Sequence, residues 1–136
     1  ERYEEARALI EGTDEAQYGE EFDYLRAYVL GRLNRHEEAL ALLEQLQQRH
    51  PDDPWLLCEC GWNLIQLDAY RQAEHFFQQA AVIHPDPYCE AMLGWCELQR
   101  GNRQDARQRL LSALAQGFDE EWIRKALEQC QAQENG

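Results

Sequence analysis

No stretch of this chain approaches the roughly 18 consecutive apolar residues that a membrane-spanning helix needs, and no charged-then-apolar leader precedes a cleavage site. These absences favour a soluble, cytoplasmic protein with no membrane partner. Lysine is almost missing: Lys125 stands beside twelve arginines, and the formal net charge is −13. Phosphate binding is driven by clustered basic side chains that release counterions, so nucleic acid is excluded as the main partner and a basic protein fits better. The sequence also lacks a glycine-rich phosphate loop, a nucleophile elbow and any pair of histidines at ligand spacing. His36, His50, His75 and His84 fall at repeating positions, two of them directly before prolines, where turn packing accounts for them. Adjacent acids such as Glu37 and Glu38 diverge on a helix and cannot share one substrate bond. No catalytic residue, cofactor or enzymatic activity is expected.

Methionine is equally scarce. Met92 is the only one and the chain opens on Glu1, so a piece of a longer protein is expected. Its 136 residues suffice for one domain, 1–136, with a continuous core. The five cysteines, Cys58, Cys60, Cys89, Cys96 and Cys130, are odd in number and lie within apolar helical segments, which suits a reducing compartment better than a disulfide framework. Cys58 and Cys60, two apart on a predicted helix, point to different faces and do not make a zinc pair, so no metal site is expected. Small core hydrophobes is the stronger account of the thiols. Residues 1–23 hold Glu1, Glu4, Glu5, Glu11, Asp14, Glu15, Glu20, Glu21 and Asp23 against Arg2 and Arg7, and read as an acidic, solvated entrance.

What the chain does have is a repeat. His50-Pro51 recurs as His84-Pro85, a shift of 34 residues, and Ala39, Leu43 and Leu46 recur at the same shift as Ala73, Phe77 and Ala80. Pro51-Asp52-Asp53-Pro54 then shortens to Pro85-Asp86-Pro87 and the shift becomes 33, carrying Gly61-Trp62 to Gly94-Trp95, Ala73 to Ala106, Phe77 to Leu110 and Ala80 to Ala113. Small residues at Gly61 and Ala73 let two helices approach closely, Phe77 fills the layer between neighbours, and the prolines end one helix pair and open the next. Such pairs bury their apolar faces only by stacking on one another.

This pattern resembles the tetratricopeptide repeat. The first repeat, 20–53, supplies Ala27, Ala39, Leu43, Leu46 and Pro51, with Arg26 at a normally apolar position. The second, 54–86, supplies Gly61, Tyr70, Ala73, Phe77, Ala80 and Pro85. The third, 87–118, supplies Gly94, Gly101, Ala106, Leu110 and Ala113, with Phe118 near the place of the proline. The resemblance implies an all-α, right-handed superhelix of about three helix hairpins. Tyr3-Glu4-Glu5-Ala6 and Ile10 echo His36-Glu37-Glu38-Ala39 and Leu43, so 2–11 reads as an N-terminal half-repeat helix, followed by a loop over 12–19. At the other end 119–132, with Trp122, Ile123, Ala126, Leu127 and Cys130 at spacings of three and four, reads as a capping helix started by Asp119.

In that family the first helix of each hairpin lines a concave groove. Carried over, the lining falls on Tyr24, Tyr28, Trp55, Glu59, Trp62, Tyr88, Met92 and Trp95, the candidate peptide-binding residues. Large rings left in water on neighbouring helices form the kind of apolar patch that marks an interaction surface. The opposing expectation is that some of these rings are core, or that Trp122 and the cap fold over them. The first helices of repeats two and three contain Glu59, Glu90 and Glu97 and no Lys or Arg, whereas Arg71, Arg103, Arg107 and Arg109 lie on the second helices or their approaches. An acidic groove favours an apolar segment carrying basic residues. Carboxylate-clamp repeats need Lys, Arg and Asn along these helices; Tyr24, Tyr28, Tyr88 and Met92 stand there instead, so no acidic-tail clamp is expected. The resemblance therefore implies a protein-interaction module, an adaptor or a chaperone or co-chaperone, similar in size and groove to the bacterial secretion chaperones of the repeat class. The alternative is a self-association domain forming homo-oligomers.

Overall fold

The structure, a computed structural model, describes residues 19–135. The half-repeat helix expected at 2–11 lies outside the described residues, as does all of the 12–19 loop except Gly19. Seven helices and no strand are found among the described residues: α1 (Glu20–Arg32), α2 (His36–Arg49), α3 (Pro54–Gln66), α4 (Tyr70–Ile83), α5 (Pro87–Gln99), α6 (Arg103–Ala115) and α7 (Glu121–Asn135). Each packs on the next in the chain, and α7 also reaches back to α5. This is the contact pattern of a stacked all-α repeat, in which every layer depends on its neighbours for burial.

The repeat fixes both ends of the helices. The Asp53 and Asp86 carboxylates accept from the Trp55 and Tyr88 backbone N–H groups at 3.0 and 2.8 Å, and Pro54 and Pro87 occupy the first helical position, where a missing N–H costs nothing. Each hairpin turns through one left-handed residue, Asn34, Asp68 or Gly101. The following residue donates back across the helix end, as Ala69 does to the Leu64 carbonyl at 2.9 Å.

Inside the second and third hairpins a glycine sits against a large apolar side chain, where the first hairpin has the fully buried Ala27. A Cβ added at Gly61 would lie 2.5 Å from the Phe77 ring, and one at Gly94 would lie 2.9 Å from Leu110 Cγ. Between hairpins, α2 and α3 share a polar contact within the core. The fully buried Asn63 donates to the Glu59 carbonyl at 2.8 Å and accepts at Oδ1 from His36 Nδ1, also at 2.8 Å, which places the imidazole proton on Nδ1. Burying an amide this deeply is tolerable because its bonds are made.

The last helix begins two residues later than the sequence suggests. The Glu120 carbonyl accepts its first turn, from the Ile123 N–H at 3.1 Å, while the Asp119 carboxylate takes Arg124 in a fork at 2.9 and 2.6 Å. Asp119 is thus held by a guanidinium instead of serving as the cap. Ile123, Ala126 and Cys130 are fully buried and close the core of the last hairpin.

Candidate functional site

All eight candidate residues lie on the odd-numbered helices: Tyr24 and Tyr28 on α1, Trp55, Glu59 and Trp62 on α3, Tyr88, Met92 and Trp95 on α5. Helical periodicity puts residues three and four apart on one face, so each helix contributes a short stack. The structure arranges them in three neighbouring groups.

At the N-terminal end, the Tyr24 and Trp55 rings lie 5.4 Å apart and Trp55 is 38% exposed. The Tyr24 hydroxyl donates to Asp53 at 2.9 Å. Burial, reinforced by that carboxylate, pushes the phenol up to about 12. The middle is occupied by a side chain that the sequence comparison of charges did not include. Arg32, in the last turn of α1, places its guanidinium 4.4 Å from the Tyr28 ring centroid and 4.0 Å from that of Trp62. Its Nη2 is 3.6 Å from Glu59 Oε1. One face of Trp62 is therefore covered by a cation, its edge meets His36 at 5.6 Å, and the only candidate carboxylate is already paired. Glu59 is just 9% exposed, and burial raises its pKa despite the partial compensation from Arg32.

At the C-terminal end, Trp62, Tyr88, Met92 and Trp95 converge on a cavity of about 480 Å³ whose wall is completed by Ile65, Tyr70, Asp68 and Trp122. Trp122 meets Trp95 edge-on at 5.9 Å, and Phe118 meets Tyr88 at 5.9 Å. The capping segment thus closes one end of the ladder and leaves the cavity beside it. Met92 is floor more than wall, at 8% exposure. Tyr88 also borders a second cleft of about 300 Å³ with Trp55, Glu59, His84, Asp86 and the two thiols of Cys58 and Cys89.

Two of the three acids counted toward a negative groove lie elsewhere. Glu97 and Glu90 both turn toward Arg109 on α6, at 2.5 and 3.4 Å, and border a different cleft with Asp105 and Gln108. Besides the buried Glu59, the carboxylates that border the aromatic cavity and cleft are Asp68 and Asp86, both at helix ends and both exposed. Asp68 accepts from the Tyr70 hydroxyl at 2.8 Å. Arg32 was discoverable from the family pattern, because it holds a groove-lining place one helical turn beyond Tyr28. Trp122 is a capping residue in the sequence pattern, and the opposing expectation has it folding over the rings; it stands against Trp95 at the cavity wall. Among the described residues no helix is long and apolar enough to cross a membrane.

The sequence model described as "Tetratricopeptide repeat" matches residues 32–95. No curated protein matches the chain by sequence. Among solved structures, the fold is similar to that of MamA from MSR-1, with a TM-score of 0.80 and 20% identity over 98% of this chain and 78% of that one. It is also similar to the Yersinia enterocolitica type III secretion chaperone SycD in complex with a peptide of the translocator YopD, at 0.75 and 18%, over 90% and 97% of the two chains. The first such domain of Spaghetti (RPAP3), bound to the HSP90 peptide SRMEEVD, superposes at 0.76 with 12% identity over 82% and 89%. At these identities the likeness is one of fold.

Proposed function

Taking as premise that this chain belongs to the tetratricopeptide-repeat family, we propose that it is a protein-interaction module that receives an apolar polypeptide segment in the aromatic groove. The observation that carries the reading is the cavity of about 480 Å³ walled by Trp62, Tyr88, Trp95 and Trp122 over Met92. An anchor side chain buried there gains roughly 1.5–3 kcal/mol, and two or three anchors suffice for micromolar binding after the costs of association. Asp68 and Asp86 at the rims favour a basic residue flanking the anchor, which supports a basic, apolar segment on different carboxylates from those the sequence pointed to. SycD and the RPAP3 domain each hold a peptide. The HSP90 peptide is acidic; in this chain the groove cation, Arg32, is already paired with Glu59, so an acidic tail is not the partner proposed. The role is that of an adaptor or chaperone, with no chemistry of its own.

The test is a panel of fluorescently labelled peptides varying independently in apolar and basic content, titrated against the chain, a Trp95→Ala variant and an Asp68→Lys variant. Apolar-basic peptides should bind best, Trp95→Ala should weaken them at least tenfold, and Asp68→Lys should weaken only those with a basic flank. Equal binding to all three proteins would move recognition off this face. Sedimentation at rising concentration separates this reading from self-association.

A further inference from the structure

We propose that Cys58 and Cys89 form an oxidation site, closing to an intrachain disulfide when a peroxide enters the cleft beside Trp55. The two sulfurs lie 3.9 Å apart, within reach of an S–H···S hydrogen bond, although 31 positions separate them in the chain. They belong to α3 and α5, the first helices of consecutive hairpins, which the chain connects only through α4. Both thiols border the cleft of about 300 Å³, Cys58 half-buried and Cys89 at 2% exposure behind it, and the cleft gives a small oxidant a way in. Cys60, Cys96 and Cys130 are fully buried and border neither that cleft nor the aromatic cavity. Among the described residues no group of three or more His, Cys, Asp and Glu is placed to hold a metal, so the pair stands as a dithiol.

The chemistry needs one sulfur to act as nucleophile and the other to resolve it. The hydrogen bond from Cys58 holds the Cys89 thiol below its usual range and raises that of Cys58. As a thiolate, Cys89 attacks one peroxide oxygen; the S–O bond forms, the O–O bond breaks, and the departing hydroxide takes up the thiol proton as water. Cys58 then attacks the sulfenyl sulfur as its own proton passes to the leaving oxygen. The S–S bond forms, the S–O bond breaks and a second water leaves. Two thiols give up two electrons and one peroxide accepts them. The sulfurs must close from 3.9 Å to about 2.05 Å, by side-chain rotation with a small slide of one hairpin on the next. The inference does not depend on what the groove binds.

Hydrogen peroxide on the full chain tests it. Thiols are counted after denaturation, intact mass is read, and the unreduced peptides are mapped. The expected result is the loss of two of the five thiols, a mass lower by two hydrogens, one cross-linked pair containing Cys58 and Cys89, and recovery of both thiols with dithiothreitol. The oxidised chain should also melt at a higher temperature, because the link restricts the unfolded ensemble. Cys58→Ser and Cys89→Ser should each abolish the cross-link; if either variant fails to fold, the peptide map of the parent chain decides alone. Five intact thiols at a peroxide dose that oxidises free cysteine would overturn the proposal. So would oxygen addition without loss of a second thiol, or a link between other cysteines or between chains.

Discussion

Placing a methyl group on Gly61 sets two physical effects against each other. Alanine is the better helix former by about 0.5–1 kcal/mol, so propensity alone makes Gly61→Ala stabilising. Packing says the reverse. The new Cβ would stand 2.5, 2.7 and 2.9 Å from three carbons of the Phe77 ring, where carbon atoms rest at about 3.5–4.0 Å. Phe77 cannot step aside: it is fully buried among Leu64, Ile65, Met92, Leu93 and Cys96, and it makes a T-shaped contact with Tyr88, ring centroids 6.1 Å apart. Overpacking of this kind costs about 1–3 kcal/mol, which leaves a net loss of up to about 2.5 kcal/mol, and about 1 kcal/mol at mid-range, once the propensity gain is subtracted. The melting temperature should fall by about 3–8 °C for a chain of this size. Urea denaturation followed by far-ultraviolet circular dichroism gives the number. A Phe77→Leu background sharpens it, because the smaller side chain makes room, and Gly61→Ala should then cost at least 0.5 kcal/mol less, a coupling above ordinary additivity error. A stabilising Gly61→Ala, or an additive cycle, would refute the claim that close contact selects glycine here.

Two further predictions concern titrating groups. Because burial holds Glu59 above the ordinary glutamate range, the native state keeps a proton that the unfolded chain has lost. Its contribution is intact below the unfolded pKa and is lost as pH rises through the folded one, so Glu59→Gln should gain stability relative to the parent as pH climbs from 4 toward neutrality. Paired denaturation curves across that range read the slope, and a difference that shrinks with pH would contradict it. Tyr24, pushed up to about 12, should appear in an ultraviolet titration as a late-ionising phenol that vanishes in Tyr24→Phe. Because that phenol's pKa is raised on folding, stability should fall between pH 10 and 12 in the parent and less in the variant; a Tyr24 that ionises near 10 would show both its burial and the Asp53 contact to be absent in solution.

The helices were legible because their signals are local or periodic. Asp53-Pro54 and Asp86-Pro87 start α3 and α5, and the recurrence of Gly61, Ala73 and Phe77 as Gly94, Ala106 and Leu110 announces the hairpins. Rings on α1, α3 and α5 could be assigned to one side of the stack for the same reason. Charge was harder, because helical phase decides which way a carboxylate points. Glu59 and Glu97 both stand on first helices, yet one meets Arg32 within the groove and the other meets Arg109 on the far side. The family pattern gives Arg32 its groove-lining place, but its long side chain crosses from α1 to α3, a span no single-helix pattern encodes. The Cys58–Cys89 contact depends on the stagger between two hairpins, where a shift of a residue would part the sulfurs. Asp119 reads as a cap because of its type, whereas in the structure its carboxylate accepts from Arg124, five residues on.

Arg32 makes the groove a seat already taken by the protein's own tenant. Its guanidinium lies between Tyr28 and Trp62 and beside Glu59, the place and the partners that an incoming basic residue would seek. A visiting cation does not enter a vacancy; it must displace an equivalent group, and the exchange is close to neutral. On the proposed reading, charge at that spot therefore cannot drive association by itself. Selection falls to whatever fills the neighbouring aromatic cavity, so the chain should discriminate among visitors by shape first and by sign second.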